Sequence, residues 1–123
     1  MHAKALTAIA GIGLALALTG QALADSIPIK ASYGDKAGCA YAKSGDSTGA
    51  DVFFLLTKSE ITTAASVCTF GDLVSTAPDK IVAKVSCQSE DDTGDDVATI
   101  VPAGKGYKIT LQDGTVWGPL KRC

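Results

Sequence analysis

Histidine is almost absent from this sequence. The chain has one, His2, and it lies in an N-terminal segment that we expect to be removed. A protein without imidazole has no Ser-His-Asp or Cys-His relay and no histidine ligand for zinc or copper. Residues 45–49 are similar to the nucleophile loop of serine hydrolases, but without a base they are better interpreted as a flexible turn. We therefore expect no catalytic residues and no enzyme activity.

Arginine is equally scarce, since Arg122 is the only one. The chain has 11 Lys and Arg against 13 Asp and Glu, and its net charge is −2. The lysines are scattered, so no basic stripe could follow a phosphate backbone, and a nucleic acid partner is not expected. A weakly acidic surface favours encounter with a cationic protein instead.

Long apolar runs are missing after the N-terminus. Lys4 is followed by a weakly apolar stretch over residues 5–18, which is shorter than the ~18 to 20 residues that span a bilayer. Ala22 and Ala24, before Asp25, give the small-x-small pattern of a cleavage site. The sequence predicts a signal peptide over residues 1–24 with cleavage between Ala24 and Asp25, and a single domain over residues 25–123. Asp25, not a cysteine, stands directly after the cleavage point, so we expect no lipid anchor. The predicted location is the bacterial periplasm or the exterior of the cell.

Closely spaced cysteine pairs are also missing. An even number of cysteines in a short exported chain is typical of disulfides, whereas a zinc site normally includes a pair such as C-x-x-C. The sequence therefore predicts two disulfides, and neither a metal nor another cofactor. The four cysteines are Cys39, Cys68, Cys87 and Cys123.

The strand pattern chooses between the three possible pairings. Residues 66–74 and 80–88 are predicted to form two β-strands joined by a turn-rich link over residues 75–79. If Ser75 faces Lys80 across a four-residue loop, Cys68 falls opposite Cys87, close to disulfide reach. Cys39 then pairs with Cys123 by exclusion.

No long helix is predicted anywhere in the mature chain. Apolar and polar residues alternate from Ile27 to Tyr33, which predicts a half-buried strand, and Pro28 suggests that it lies at an edge. A turn over residues 34–38 then leads to a short strand containing Cys39 and Tyr41. The run over residues 52–56 is predicted to lie in the core, and Asp113-Gly114 is a strong hairpin signal. About seven short antiparallel strands and frequent turns predict an all-β domain, either a β-sandwich or a small barrel. The other predicted strands cover residues 97–101, 107–111 and 115–117.

An acidic link separates two of these strands and contains five carboxylates, those of Glu90, Asp91, Asp92, Asp95 and Asp96. Oxygen donors at such density could chelate calcium, but their spacing does not match an EF-hand loop. The preferred interpretation is a solvated hairpin tip that discourages edge pairing. A contact surface for a basic protein is the remaining alternative.

The overall plan, a short exported acidic β domain ending in cysteine, resembles small envelope proteins of gram-negative bacteria that include periplasmic lysozyme inhibitors. Residues 104–107 and 115–118 look like the Ser-Gly-x-x-Tyr and Trp-x-x-Gly region of the membrane-bound and periplasmic C-type lysozyme inhibitor family, with Ala103 in place of the serine. Export, acidity and this resemblance together favour a non-enzymatic periplasmic inhibitor of a peptidoglycan-cleaving muramidase, either a host enzyme or an endogenous one. We expect Lys105 or Lys108 to pair with the enzyme's catalytic carboxylates and the acidic tip to meet its basic rim. An envelope assembly protein, or a calcium- or sugar-binding module, is the alternative. The predicted partner-binding residues are Lys105, Tyr107, Lys108 and Trp117, together with Glu90, Asp91, Asp92, Asp95 and Asp96.

Overall fold

A computed structural model describes residues 26–46 and 49–123. Eight antiparallel strands form a closed barrel in which each strand pairs with its neighbours in sequence, and the first pairs with the last. The predicted all-β class is confirmed. Of the two predicted architectures, a β-sandwich and a small barrel, the structure shows the barrel. The strands are β1 (Tyr33–Gly34), β2 (Phe54–Leu56), β3 (Glu60–Thr63), β4 (Ser66–Ala77), β5 (Lys80–Ser89), β6 (Thr93–Ala103), β7 (Gly106–Leu111) and β8 (Val116–Arg122).

One helix, α1 (Lys36–Ser44), interrupts the β structure, and here the prediction of a turn and a short strand at Cys39 and Tyr41 is wrong. The Asp35 carboxylate accepts a hydrogen bond from the Gly38 N–H at 2.7 Å and caps the first turn, while Gly45 ends the helix in the left-handed conformation with φ of 78°. The caps therefore specify a helix that the apolar pattern did not reveal.

The helix packs against β1 and β2. A Cβ atom on Gly38 would lie 1.9 Å from the Phe54 carbonyl oxygen, so the helix backbone approaches β2 as closely as a glycine allows. The rings of Tyr41 and Phe53 are 5.3 Å apart and cover the start of β2. The predicted core run is confirmed at Phe53, Leu55 and Leu56, whereas Phe54 is half-buried and Val52 is 60% exposed.

The barrel interior is filled by aliphatic side chains around Phe70, which is 1% exposed. Eight strands enclose a space that side chains can just fill. Ile27 and Ile29 belong to this core although their segment is not a strand; the Ile27 N–H donates to the Lys58 carbonyl oxygen at 2.8 Å. The predicted edge strand over residues 27–33 is therefore wrong except at Tyr33, because the segment plugs one end of a barrel that has no free edge.

Both predicted disulfides are present. Cys39 is bonded to Cys123, and Cys68 is bonded to Cys87 directly across β4 and β5. The assumed loop is nevertheless wrong: Ala77 faces Lys80 across a two-residue turn. Register shifts on both sides of Leu73 restore the alignment at the cysteines.

Candidate functional site

The alternation of hairpin turns divides the charged residues between the two ends of the barrel. The β2–β3, β4–β5 and β6–β7 turns lie at one end, which we call the basic end. It carries Lys58, Lys80 and Lys105 together with Lys121 and Arg122 at the close of β8; its acids are Glu60 and Asp79.

The β3–β4, β5–β6 and β7–β8 turns lie at the other end, which we call the acidic end. It carries Asp51 just before β2, Asp113 in the β7–β8 turn, and the acidic hairpin tip; none of the described residues in these three turns is lysine or arginine. The tip residues are Glu90, Asp91 and Asp92. The described turns therefore place opposite charge at the two ends of the barrel.

A groove of 590 Å³ lies at the basic end between the β6–β7 turn and the end of β8, and we call it the basic groove. Its three charged lining residues, Lys105, Lys121 and Arg122, are all cations and all exposed. The surface between them is small and apolar, lined by Ala103, Gly104, Gly106, Pro119 and Leu120. Such a site can receive a carboxylate on an apolar surface.

Backbone geometry holds the tip of the groove. Gly104 has φ of 62°, which the tight β6–β7 turn requires. A Cβ atom on Gly106 would lie 1.7 Å from the Leu120 carbonyl oxygen, so β7 and β8 approach each other more closely than any side chain would permit. Lys105 consequently projects from a short turn between two paired strands.

The structure separates Lys105, Tyr107, Lys108 and Trp117, which the sequence predicted as one group of partner-binding residues. Tyr107 points toward the interior, where its ring lies 4.8 Å from that of Tyr33 in an edge-to-face contact. Lys108 is exposed on the wall of the barrel, opposite Val101. Trp117 packs against Phe54, with ring centroids 5.6 Å apart, near the acidic end. Of this group, only Lys105 lies in the basic groove.

Lys121 and Arg122 were missed by the sequence analysis. They directly precede the terminal cysteine. Only the strand topology could have placed them near Lys105, because β8 pairs with β7, the strand that follows Lys105. Arg122 also lies opposite Tyr33 in the β1–β8 strand pair that closes the barrel.

The acidic residues predicted as one exposed link divide into two groups. Glu90, Asp91 and Asp92 form the turn, which is closed by a hydrogen bond from the Ser89 N–H to the Asp92 carbonyl oxygen at 2.8 Å. Asp95 and Asp96 lie on β6. Within residues 26–46 and 49–123, no three acidic, cysteine or histidine side chains form a group that could hold a metal ion.

Asp96 has a structural contact of its own. Its Oδ1 atom accepts hydrogen bonds from the Val97 N–H at 2.7 Å and the Gln112 N–H at 3.1 Å. The carboxylate therefore connects β6 to the β7–β8 turn and is already engaged within the fold.

Asp113 has a similar local role in that turn. Its Oδ1 atom accepts from the Thr115 N–H at 2.8 Å, and hydrogen bonds from the Thr115 side chain and backbone hold the pKa of Asp113 below its ordinary value of 3.8. The predicted hairpin turn is confirmed, although a hydrogen bond from the Leu111 N–H to the Thr115 carbonyl oxygen closes it around three residues rather than two.

No protein-family model matches this sequence, and comparison with characterised proteins and with solved structures also gives no match. The described part of the chain contains no helix long and apolar enough to cross a membrane. The predicted signal peptide and its cleavage point at Ala24 and Asp25 lie outside the described residues, as does part of the predicted turn at residues 47–48.

Proposed function

We propose that this chain is a periplasmic, non-enzymatic inhibitor of a peptidoglycan hydrolase, and that it acts through the basic groove. The observation that carries the proposal is the grouping of Lys105, Lys121 and Arg122 around one apolar groove that no carboxylate lines. Hydrolases that cleave glycosidic bonds commonly use carboxylic acids in an open cleft, and these acids offer a matching charge.

The mechanism follows from what a lysine does to a catalytic acid. A glycosidase needs one of its carboxyl groups protonated near neutral pH, which requires a raised pKa. An ammonium group placed beside that carboxyl favours its ionised form and lowers its pKa. Beside Lys105 the catalytic carboxyl would therefore release its proton to solvent and could not protonate the leaving group, while the turn around Lys105 blocks the cleft. Inhibition would not require chemistry by the inhibitor itself.

Rigidity supports this role. The turn that bears Lys105 is held by two paired strands, and the barrel is crosslinked by two disulfides. A preorganised loop loses little conformational entropy when it enters a cleft, so more of the contact energy remains as affinity.

The test is the clearing of a cell-wall suspension by a lysozyme and by a lytic transglycosylase, with and without the purified protein. We expect slower clearing by at least one enzyme class, and restored clearing with Lys105→Glu. Lys84→Glu, the same charge change on the exposed wall of β5, is the matched control and should inhibit like the wild type. Unchanged clearing of both enzymes would remove the proposal.

The alternative is an envelope assembly protein that binds a periplasmic partner without inhibiting it. Capture from a periplasmic extract distinguishes the two, because an inhibitor should recover a wall hydrolase. Recovery of a different protein, with clearing unaffected, would favour the assembly role.

A further inference from the structure

Beside the start of β8, whose far end lines the basic groove, a second cleft lies at the acidic end. We call it the Trp117 cleft. It has a volume of 290 Å³ and is formed where the start of β2 meets the β3–β4 turn and β8. Its lining residues are Asp51, Val52, Phe53, Phe54, Thr63, Ala64, Ala65, Ser66 and Trp117.

The cleft presents apolar surface to solvent. Val52 is 60% exposed, Ala64 and Ala65 are exposed in the β3–β4 turn, and Trp117 is only half-buried against Phe54. Its volume is at the lower limit of about 300 Å³ for small-molecule pockets, so it suits one apolar anchor side chain better than a whole small ligand.

One carboxylate lines this apolar surface, and others lie in turns that adjoin its strands. Asp51 lines the cleft directly. Ser66, which also lines it, pairs with Ser89, so the acidic tip at Glu90 begins one residue beyond the cleft wall. Val116, next to Trp117 in the chain, pairs with Thr110 close to the turn that carries Asp113. The acidic tip thus follows β5, the partner of the strand that begins at Ser66, and the Asp113 turn precedes Trp117 on β8.

We propose that the Trp117 cleft docks a cationic amphipathic segment of another protein or peptide. One apolar side chain of the segment fills the cleft, and lysines or arginines next to it pair with Asp51 and the acidic tip. Charge complementarity favours this occupant. An acidic segment would be repelled by the carboxylates near the cleft, and a neutral segment would leave them unpaired. The proposal is independent of the basic groove and of hydrolase inhibition.

Trp117 provides the measurement, because it is the only tryptophan in the chain. The full protein recovered from the periplasm is titrated with a helical peptide made of lysine and leucine. We expect the tryptophan emission to move to shorter wavelength with saturation, and the apparent Kd to rise with salt. The same peptide with glutamate in place of lysine should not bind, and neither should a lysine-serine peptide that lacks the apolar anchor.

Two double variants with the same change in net charge locate the contact. Asp51→Asn with Asp91→Asn should raise the Kd by about fivefold at low salt, as expected for the loss of two exposed ion pairs. Asp72→Asn with Asp79→Asn, which lie on β4 and in the β4–β5 turn, should change it by less than about twofold. Lys105→Glu should bind no more weakly than the wild type, which separates this proposal from the preceding one.

Four outcomes would overturn the inference. In the first, the emission spectrum does not respond to the lysine-leucine peptide, and in the second, the two double variants raise the Kd equally. In the third, the glutamate peptide binds as tightly as the lysine peptide. In the fourth, concentrating the protein alone gives the same emission shift. The last would assign the cleft to the basic end of a second copy of this chain.

Discussion

Lys105 and Asp91 lie beyond opposite ends of the same strand, β6. Eleven residues separate the two turns, a length of roughly 35 Å along the strand at about 3.3 Å per residue. The turns face away from each other, so one partner surface cannot contact both in a single compact interface. The hypothesis that a hydrolase cleft meets Lys105 while its rim meets the acidic tip therefore requires two interfaces rather than one.

The first prediction separates these two ends by mutation. Lys105→Glu should reduce inhibition of a sensitive hydrolase by about tenfold or more, because a carboxylate in the enzyme cleft would then face a like charge. Asp91→Lys, at the acidic end, should leave inhibition within about twofold of the wild type. The measurement is the inhibition constant from initial rates of cell-wall clearing.

A pH profile distinguishes the proposed mechanism from simple blocking of the cleft. The enzyme's residual activity is measured against pH at a subsaturating concentration of the inhibitor. If Lys105 lowers the pKa of the catalytic acid, the loss of activity on the basic side of this profile should shift to lower pH. An unshifted limb would contradict the role given to the ammonium group, even if the enzyme is still blocked.

Local sequence signals predicted the hairpins well. The β-prone runs around Cys68 and Cys87, the alternation from Tyr107 to Leu111 and the Asp113-Gly114 turn each carry their information within a few residues. Strand period and turn chemistry act at that range, so these elements could be predicted. The Cys68–Cys87 pairing was predicted from a wrong loop length and is present because the register shifts beside Leu73 restore the alignment.

The features that were missed depend on distant parts of the chain. Barrel closure depends on Tyr33 and Gly34, two residues that pair with β2 on one side and β8 on the other. The buried position of Ile27 depends on the barrel interior, which is formed by residues far along the chain. The basic groove combines residues from the β6–β7 turn with residues at the C-terminus, and no local pattern connects them.

The second prediction concerns the close approach of β7 and β8. Gly106→Ala would place a Cβ atom 1.7 Å from the Leu120 carbonyl oxygen, and a backbone oxygen in a paired strand cannot move aside as a flexible side chain can. We expect a loss of about 3 kcal/mol in the free energy of unfolding. Urea denaturation followed by tryptophan emission measures it.

Gly94→Ala is the matched control on β6. No heavy atom lies within 4 Å of the position that a Cβ would take there. This variant should gain up to about 0.5 kcal/mol, because alanine restricts the unfolded chain more than glycine does. A Gly106→Ala protein as stable as the wild type would show that β7 and β8 are farther apart than described.

The third prediction is that the two disulfides are reduced in sequence. Cys123 is exposed at the end of β8, whereas Cys68 is 1% exposed in the core. Because thiolate attack needs access to a sulfur atom, mild reductant should open Cys39–Cys123 while Cys68–Cys87 stays closed. Alkylation followed by peptide mass spectrometry identifies the first thiols to appear, and labelling of Cys68 and Cys87 first would contradict this order.

Opening of the Cys39–Cys123 bond should also be costly for stability. The bond closes a loop with a sequence separation of 84, and it attaches α1 to the terminal strand. The chain-entropy relation gives a loss of about 4.5 kcal/mol for a loop of that length. Denaturation of the Cys39→Ser, Cys123→Ser double variant measures the loss without reductant.

The fourth prediction concerns Asp113 and acid. Hydrogen bonds from Thr115, first through its side chain and then through its backbone, lower the pKa of the Asp113 carboxyl below 3.8 in the folded protein. A group whose folded pKa is lowered stabilises the fold above its unfolded pKa, and this contribution is lost as the pH falls through the folded value. The affected range therefore lies below about pH 4.

Substitution of Thr115 tests the cause of this shift. Thr115→Val removes the hydroxyl donor but retains the backbone N–H, so the pKa of Asp113 should rise toward 3.8 without returning fully to it. Asp113→Asn keeps an oxygen that can accept from the Thr115 N–H and removes the titration, so the part of the acid sensitivity due to Asp113 should disappear. Carboxyl carbon NMR reports this single group separately from the other acids at the same end. A wild-type Asp113 that titrates at or above 3.8 would show that the hydrogen bonds of the turn do not favour the carboxylate.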